Sequence, residues 1–205
     1  MNEAFVLKGN VLAKYQGPGR DVAVPEGVTV IGVAGFYSCS SLVHIELPRT
    51  VEKLGFSVFA HCTALEHITI PELVVCIPRQ AFQGCTSLTD ITLPAGLEEI
   101  CEEAFTSCTA LREITIPAGV AKLEAETFLG CTRLERVTIL GRDTKISASA
   151  LRGTTAEVVG LPLGKLPQEV REHTLRAFAR QYAAGASIPE AHRALCVKYI
   201  KRMGK

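Results

Sequence analysis

Apolar and polar positions repeat along this chain with a fixed period of 23 residues, from Val22 to about Thr154. Phe36, Phe59, Phe82, Phe105 and Phe128 form one column, and Leu42, Leu65, Leu88, Leu111 and Leu134 form the next. Ile45, Ile68, Ile91, Ile114 and Val137 follow, then Leu47, Ile70, Leu93, Ile116 and Ile139. Pro48, Pro71, Pro94 and Pro117 come directly after, and Leu54, Ile77, Ile100, Leu123 and Ile146 close the unit. A period in the range of about 20–50 residues marks stacked supersecondary units, none of which can bury its apolar face alone.

The elements follow from the pattern. Alternation such as Ile68-Thr69-Ile70 is the period-2 signature of a half-buried strand. The proline beyond it has no N–H for a ladder, so pairing ends there. Val51 to Leu54 reads as a second, short extended piece on the opposite side. Ala81 to Cys85 is too short for a stable helix, so a single helical turn or a tight loop is expected, with Phe82 and Cys85 pointing inward. Rungs about 4.8 Å apart give five or six parallel turns and roughly 25 Å of continuous core. The last repeat decays: Leu140 replaces the proline, Asp143 enters an apolar column, and Leu151 and Thr154 replace the phenylalanine and cysteine. Terminal repeats are expected to be atypical, because one face meets solvent or a cap.

The flanks differ from the repeats. Phe5-Val6-Leu7 and Val11-Leu12-Ala13 read as a hairpin turning at Gly9-Asn10, placed to cover the N-terminal edge. Gly160-Leu161-Pro162-Leu163-Gly164 reads as a breaker-rich linker. A helix is expected from about Pro167 to Ala183, with Leu175, Phe178 and Tyr182 on one stripe and Gly185 as its stop. A second helical pattern opens near Ile188-Pro189 and carries Leu195, Cys196, Tyr199, Ile200 and Met203. The expected organisation is a hairpin cap over 1–21, repeats over 22–159, and over 160–205 a helical cap or the start of a following helical region. Apolar periodicity still runs at Met203, so a longer chain continuing into more helices is expected.

The repeat C-x-x-L-x-x-I-x-[IL]-P-x-x-[VL]-x-x-[IL]-x-x-x-x-F-x-x-C resembles the BspA-like class of leucine-rich repeats, the 23-residue Treponema type, over roughly Val22 to Thr154. The resemblance implies protein or glycan binding, sometimes adhesion, and it supplies no catalytic residue. The predicted fold class is a repeat solenoid: a leucine-rich-repeat-like right-handed coil with a parallel β ladder, mostly β and irregular, capped by an N-terminal β-hairpin and a C-terminal α-helical hairpin. The chain departs from secreted members in that residues 1–4 lack the basic and apolar regions of an export signal.

Five of the eight cysteines, Cys39, Cys62, Cys85, Cys108 and Cys131, share one repeat position. They are expected to stack as small buried hydrophobes. Disulfides within the ladder are the alternative, but the column has an odd number of members. No C-x-x-C spacing is present, so zinc-finger or thioredoxin-like chemistry is not indicated. Cys76, Cys101 and Cys196 lie outside the ladder and are the candidate exposed thiols. A thiol-rich, unpaired set favours a reducing cytoplasm, with the cell surface as the alternative if a leader was removed.

Charge is divided along the chain. Residues 1–159 hold 13 basic and 18 acidic residues, whereas residues 160–205 hold 9 and 3. Lys198, Lys201, Arg202 and Lys205, with Arg171, Arg176 and Arg180, form a candidate contact set for a polyanion or acidic partner. No reader motif accompanies them, so nucleic acid is not the expected partner. No apolar run reaches the length of a membrane span.

On a parallel ladder, residues at one repeat position project side by side. One exposed column reads His44, His67, Asp90, Glu113 and Arg136; its neighbour reads Glu46, Thr69, Thr92, Thr115 and Thr138. These ten residues are the candidate ligand-binding face, since solenoids usually bind there. His44 and His67 on adjacent rungs, beside Asp90 and Glu46, are of types that ligate zinc or nickel. Three convergent ligands on a flat ladder are uncommon, so no metal and no cofactor are expected. Gly160 to Lys165 fails as a phosphate loop in spacing and in the residue after the lysine. The pairs Glu98-Glu99 and Glu102-Glu103 read as a solvated acidic patch. The expectation is a non-enzymatic interaction scaffold, monomeric or weakly oligomeric, for an unknown protein or glycan.

Overall fold

The computed structural model describes residues 4–185, Arg193, Val197 and residues 199–201. An antiparallel hairpin of β1 (Phe5–Lys8) and β2 (Val11–Tyr15) opens the chain. Each turn of a coil then supplies a front strand and a two-residue back strand. These are β3 (Asp21–Ala23) and β4 (Val30–Ile31), β5 (His44–Glu46) and β6 (Lys53–Leu54), β7 (His67–Thr69) and β8 (Cys76–Ile77), β9 (Asp90–Thr92) and β10 (Glu99–Ile100), β11 (Glu113–Ile116) and β12 (Lys122–Leu123), and β13 (Arg136–Ile139) and β14 (Lys145–Ile146). The front strand β15 (Glu157–Val159) precedes helix α1 (Gln168–Ala183).

Front strands pair in parallel as β3-β5-β7-β9 and β11-β13-β15, and back strands as β2-β4-β6 and β8-β10-β12-β14. Register follows the repeat: Ile68 lies opposite Ile91, and Val137 opposite Val158. Equivalent residues therefore stack, and the phenylalanine column becomes a continuous pile of rings. Phe36, Phe59, Phe82, Phe105 and Phe128 are fully buried, with successive centroids 5.3–5.4 Å apart. Tyr15 of β2 continues the pile at 5.3 Å from Phe36, and Phe5 closes it at 5.2 Å from Tyr15. The hairpin thus ends the aromatic core as well as covering the sheet edge.

The segment carrying each phenylalanine is a tight loop and not a helical turn. Two residues per loop have left-handed backbone: Ser57 and His61 (φ 52° and 61°), Gln80 and Gly84 (58° and 71°), Glu103 and Ser107 (59° and 62°). For a residue with a Cβ this conformation costs roughly 1–2 kcal/mol. It turns the loop's polar groups along the stacking axis, where the next rung meets them. Phe82 N–H donates to the Ala104 carbonyl and Gly84 N–H to that of Thr106, both at 2.8 Å. The loops therefore form a third ladder of main-chain bonds.

The C-terminal edge of β15 is closed by packing and hydrogen bonds. The 160–164 stretch, expected as a linker, packs inward: Leu161 and Leu163 are buried, as is Leu166 just beyond it. α1 buries Val170, Thr174 and Phe178, spaced four apart, whereas Tyr182 from the expected stripe is exposed. Thr174 Oγ1 accepts from Val158 N–H at 3.1 Å, and Gln181 donates to the buried Glu157 carboxylate at 2.8 Å. An edge that would offer unpaired groups to another chain is thereby covered. Of the expected second helical arm, Ile188, Pro189, Leu195, Cys196 and Met203 lie outside the described residues, while Arg176 Nε donates to the Tyr199 hydroxyl at 2.9 Å.

Candidate ligand-binding face

The front strands build this face by alternation. Ile45, Ile68, Ile91, Ile114 and Val137 turn into the core, so their neighbours turn outward. The register places Asp21, His44, His67 and Asp90 in one row and Glu113, Arg136 and Glu157 in its continuation. The parallel row aligns Ala23 with Glu46, Thr69 with Thr92, and Thr115 with Thr138. Glu46, His67, Thr69, Asp90, Thr92, Glu113 and Thr115 are exposed; His44, Arg136 and Thr138 are half-buried.

Side chains at the two ends of the face already have neighbours of their own. His44 sits 4.0 Å from Asp21 and meets the His67 ring in a tilted contact, with centroids 4.8 Å apart and planes inclined at 45°. Arg136 Nε donates to Glu157 at 2.6 Å and its Nη1 lies 3.6 Å from Glu113. Its hydrogen bond to the Glu157 carboxylate holds its guanidinium above the ordinary range. Between them Asp90 shares a depression with Thr92 and Thr115. Two shallow depressions open here. One is lined by Asp21, Ala23, His44, Glu46 and His67, and the other by Asp90, Thr92, Glu113, Thr115, Pro117 and Leu140 among others.

The histidines do not form a metal cluster with Asp90. Among the described residues, the convergent group of three metal-type side chains is Cys76, Glu99 and Cys101, on the back of the coil. Cys76 and Cys101 are half-buried, not exposed as expected, and burial first, then Cys101, pushes the Cys76 thiol up to about 12. The signal for this group lay in the repeat. Cys76 and Glu99 share one column, 23 residues apart, and Cys101 follows Glu99 by two, just past the end of β10. Nor is the nearby acidic patch wholly solvated. Glu103 accepts from Arg79 at 2.6 Å and from Gln80 at 2.8 Å, and the Gln80 bond, followed by Arg79, lowers its carboxyl below the usual range.

The basic contact set is partly committed elsewhere. Arg171 donates to the Leu166 carbonyl at 2.9 Å, and Arg176 holds Tyr199. Lys198, Arg202 and Lys205 lie outside the described residues.

Comparison with known proteins agrees with the geometry. The BspA-type leucine-rich repeat region matches in six copies, over residues 18–135 and 55–182. A leucine-rich cell surface protein of Faecalibacterium prausnitzii A2-165 is 32% identical with a TM-score of 0.62, the match covering 64% of this chain and 35% of that one. This chain therefore spans about a third of that relative's length. The leucine-rich repeat protein of T. pallidum is 26% identical with a TM-score of 0.65, covering 86% of this chain and 94% of its own. The pneumococcal vaccine antigen PcpA shares the fold at 21% identity, with a TM-score of 0.66 over 76% of this chain and 40% of that one. No curated protein matches the chain.

Proposed function

Since the chain belongs to the BspA-type leucine-rich repeat family, we propose that it is a non-enzymatic scaffold that binds a protein or glycan through its front strand face. The observation that carries this reading is the opening of two shallow depressions on that face, beside the histidine and threonine columns. The strands' main-chain groups are already used in the ladder, so recognition falls to side chains. The central rungs supply hydroxyls and the carboxylate of Asp90, which suit ligand groups able to donate hydrogen bonds. A lysine at Thr92 and at Thr115 puts two long cations in that surface. Affinity capture with the wild type and with the Thr92→Lys/Thr115→Lys variant tests the reading. Partners that bind the variant as well as the wild type would remove the front face from consideration.

A second reading, display at the cell surface, is supported by the Faecalibacterium relative, which is described as a cell surface protein. The buried thiols of the ladder do not oppose it. Cys62, Cys85, Cys108 and Cys131 are buried and hydrogen-bonded to backbone carbonyls, which shields them from oxidant in either compartment. Unpaired thiols in this column are therefore compatible with a reducing or an oxidising compartment. Among the described residues no helix is long and apolar enough to cross a membrane. Fractionation of source cells with a specific antibody separates the two locations.

A further inference from the structure

We infer that Cys76, Glu99 and Cys101 form a binding site for a tetrahedral divalent d10 cation, zinc in the first instance. Cys76 (β8) and Glu99 (β10) face outward from adjacent rungs, because the back strands pair Cys76 with Glu99 in register. Cys101 emerges two residues beyond Glu99, on the same side. The two sulfurs are 3.8 Å apart. Glu99 brings one carboxylate oxygen to 3.6 Å from Cys76 and the other to 3.5 Å from Cys101.

Those separations are the edges of a zinc tetrahedron. Zinc–sulfur bonds of about 2.3 Å and zinc–oxygen bonds of about 2.0–2.2 Å, at tetrahedral angles, place two sulfurs about 3.8 Å apart and sulfur and oxygen about 3.5–3.7 Å apart. The donors are thus spaced for an ion before one arrives. The terminal torsion of Glu99, which redistributes its two oxygens between the sulfurs, is soft. Sulfur donors with a carboxylate select zinc over magnesium or calcium.

The surroundings tolerate the added charge. Of the neighbouring cations, Arg79 is paired with Glu103 at 2.6 Å and Lys122 with Glu124 at 2.6 Å. A depression lined by Arg79, Glu99, Cys101, Glu102 and Glu124 opens beside the donors and leaves a fourth coordination position facing solvent. On binding, each thiol loses its proton to solvent and two thiolates and one carboxylate join the ion; no electron is transferred.

The test uses the full chain, reduced and free of oxygen, titrated with Co²⁺ as a spectroscopic stand-in and then with Zn²⁺ in competition. One equivalent of Co²⁺ should bind with a thiolate-to-cobalt charge-transfer band and intense tetrahedral visible bands, both displaced by Zn²⁺. The band should disappear in Cys76→Ser/Cys101→Ser and persist in Cys39→Ser and Cys196→Ser. Glu99→Gln should keep the fold and weaken affinity by about tenfold or more, a loss that even supporting groups around a metal can produce. Uptake of Co²⁺ that never saturates near one equivalent would overturn the site. So would a charge-transfer band that survives in the double variant, or loss of the band on replacing Cys39 or Cys196. Circular dichroism of each variant separates loss of a ligand from loss of the fold.

Discussion

The thiol of Cys85 donates to the carbonyl oxygen of Phe59, one rung earlier, at 3.1 Å. The same bond joins Cys62 to Phe36, Cys108 to Phe82 and Cys131 to Phe105, at 3.0–3.2 Å. The Phe59 carbonyl also accepts from Cys62 N–H within its own loop, so the thiol fills its second lone pair. A small hydrophobe would pack there equally well but leave that acceptor half-used. Cysteine is small enough for the core and still carries a weak donor. Where the column ends, the Thr154 hydroxyl donates instead to Leu151 in its own loop, at 2.9 Å.

Burial pushes the Cys85 thiol up to about 12 and also raises Cys108, and burial followed by Cys101 raises Cys76 to about 12. A raised thiol keeps its proton in the folded state at a pH where the unfolded chain has lost it. Between the ordinary thiol value and about 12, the native state therefore binds more protons, and stability falls as pH rises. Urea midpoints should be flat from about pH 7 to 8.5 and decline above pH 9. Serine at Cys76 should remove only its own part of that slope.

Phe82 stacks on Phe59 at 5.3 Å and on Phe105 at 5.4 Å and is fully buried. Phe82→Ala leaves a cavity in the middle of the pile and should cost about 3–5 kcal/mol by urea denaturation. A near-neutral result would mean that the ring is not a core element.

Gly160 has φ +100°, and a Cβ there would lie 1.9 Å from the Ile139 carbonyl oxygen. Backbone cannot yield as a flexible side chain can. Gly160→Ala should lower the thermal midpoint, with a loss of more than about 1 kcal/mol. The alanine change at Gly164, whose Cβ meets nothing within 4 Å, serves as the control and should have little effect.

Thr92 and Thr115 are exposed on the front face. The double lysine variant should retain stability within ~0.5 kcal/mol, as surface changes do, while losing the captured partner. Equal stability with equal capture would leave the front face without a role in binding.

Much of the fold was legible in the chain because one period runs through it. Equal positions must stack once the coil closes, so the Ile68, Phe82 and Leu88 columns reported burial directly. The prolines after the front strands marked where pairing stops. Tyr15 was not legible as a core ring: it lies outside the period, and only the β2–β4 pairing carries it onto Phe36. The closing contacts at the other end were hidden too, since the period breaks down there and the burial of Leu161 and Leu163 depends on how α1 docks.

The candidate sites divide in the same way. The repeating residues alone determined the stacked coil, its inward columns and the outward row from His44 to Arg136, because parallel pairing at a constant spacing leaves one register. Tertiary structure decided which outward groups meet. Arg136 belongs to Glu157 and Glu113, His44 and His67 meet ring to ring without recruiting Asp90, and Cys76, Glu99 and Cys101 converge. Each of those outcomes turns on side-chain direction at a single rung, which a repeat pattern averages away.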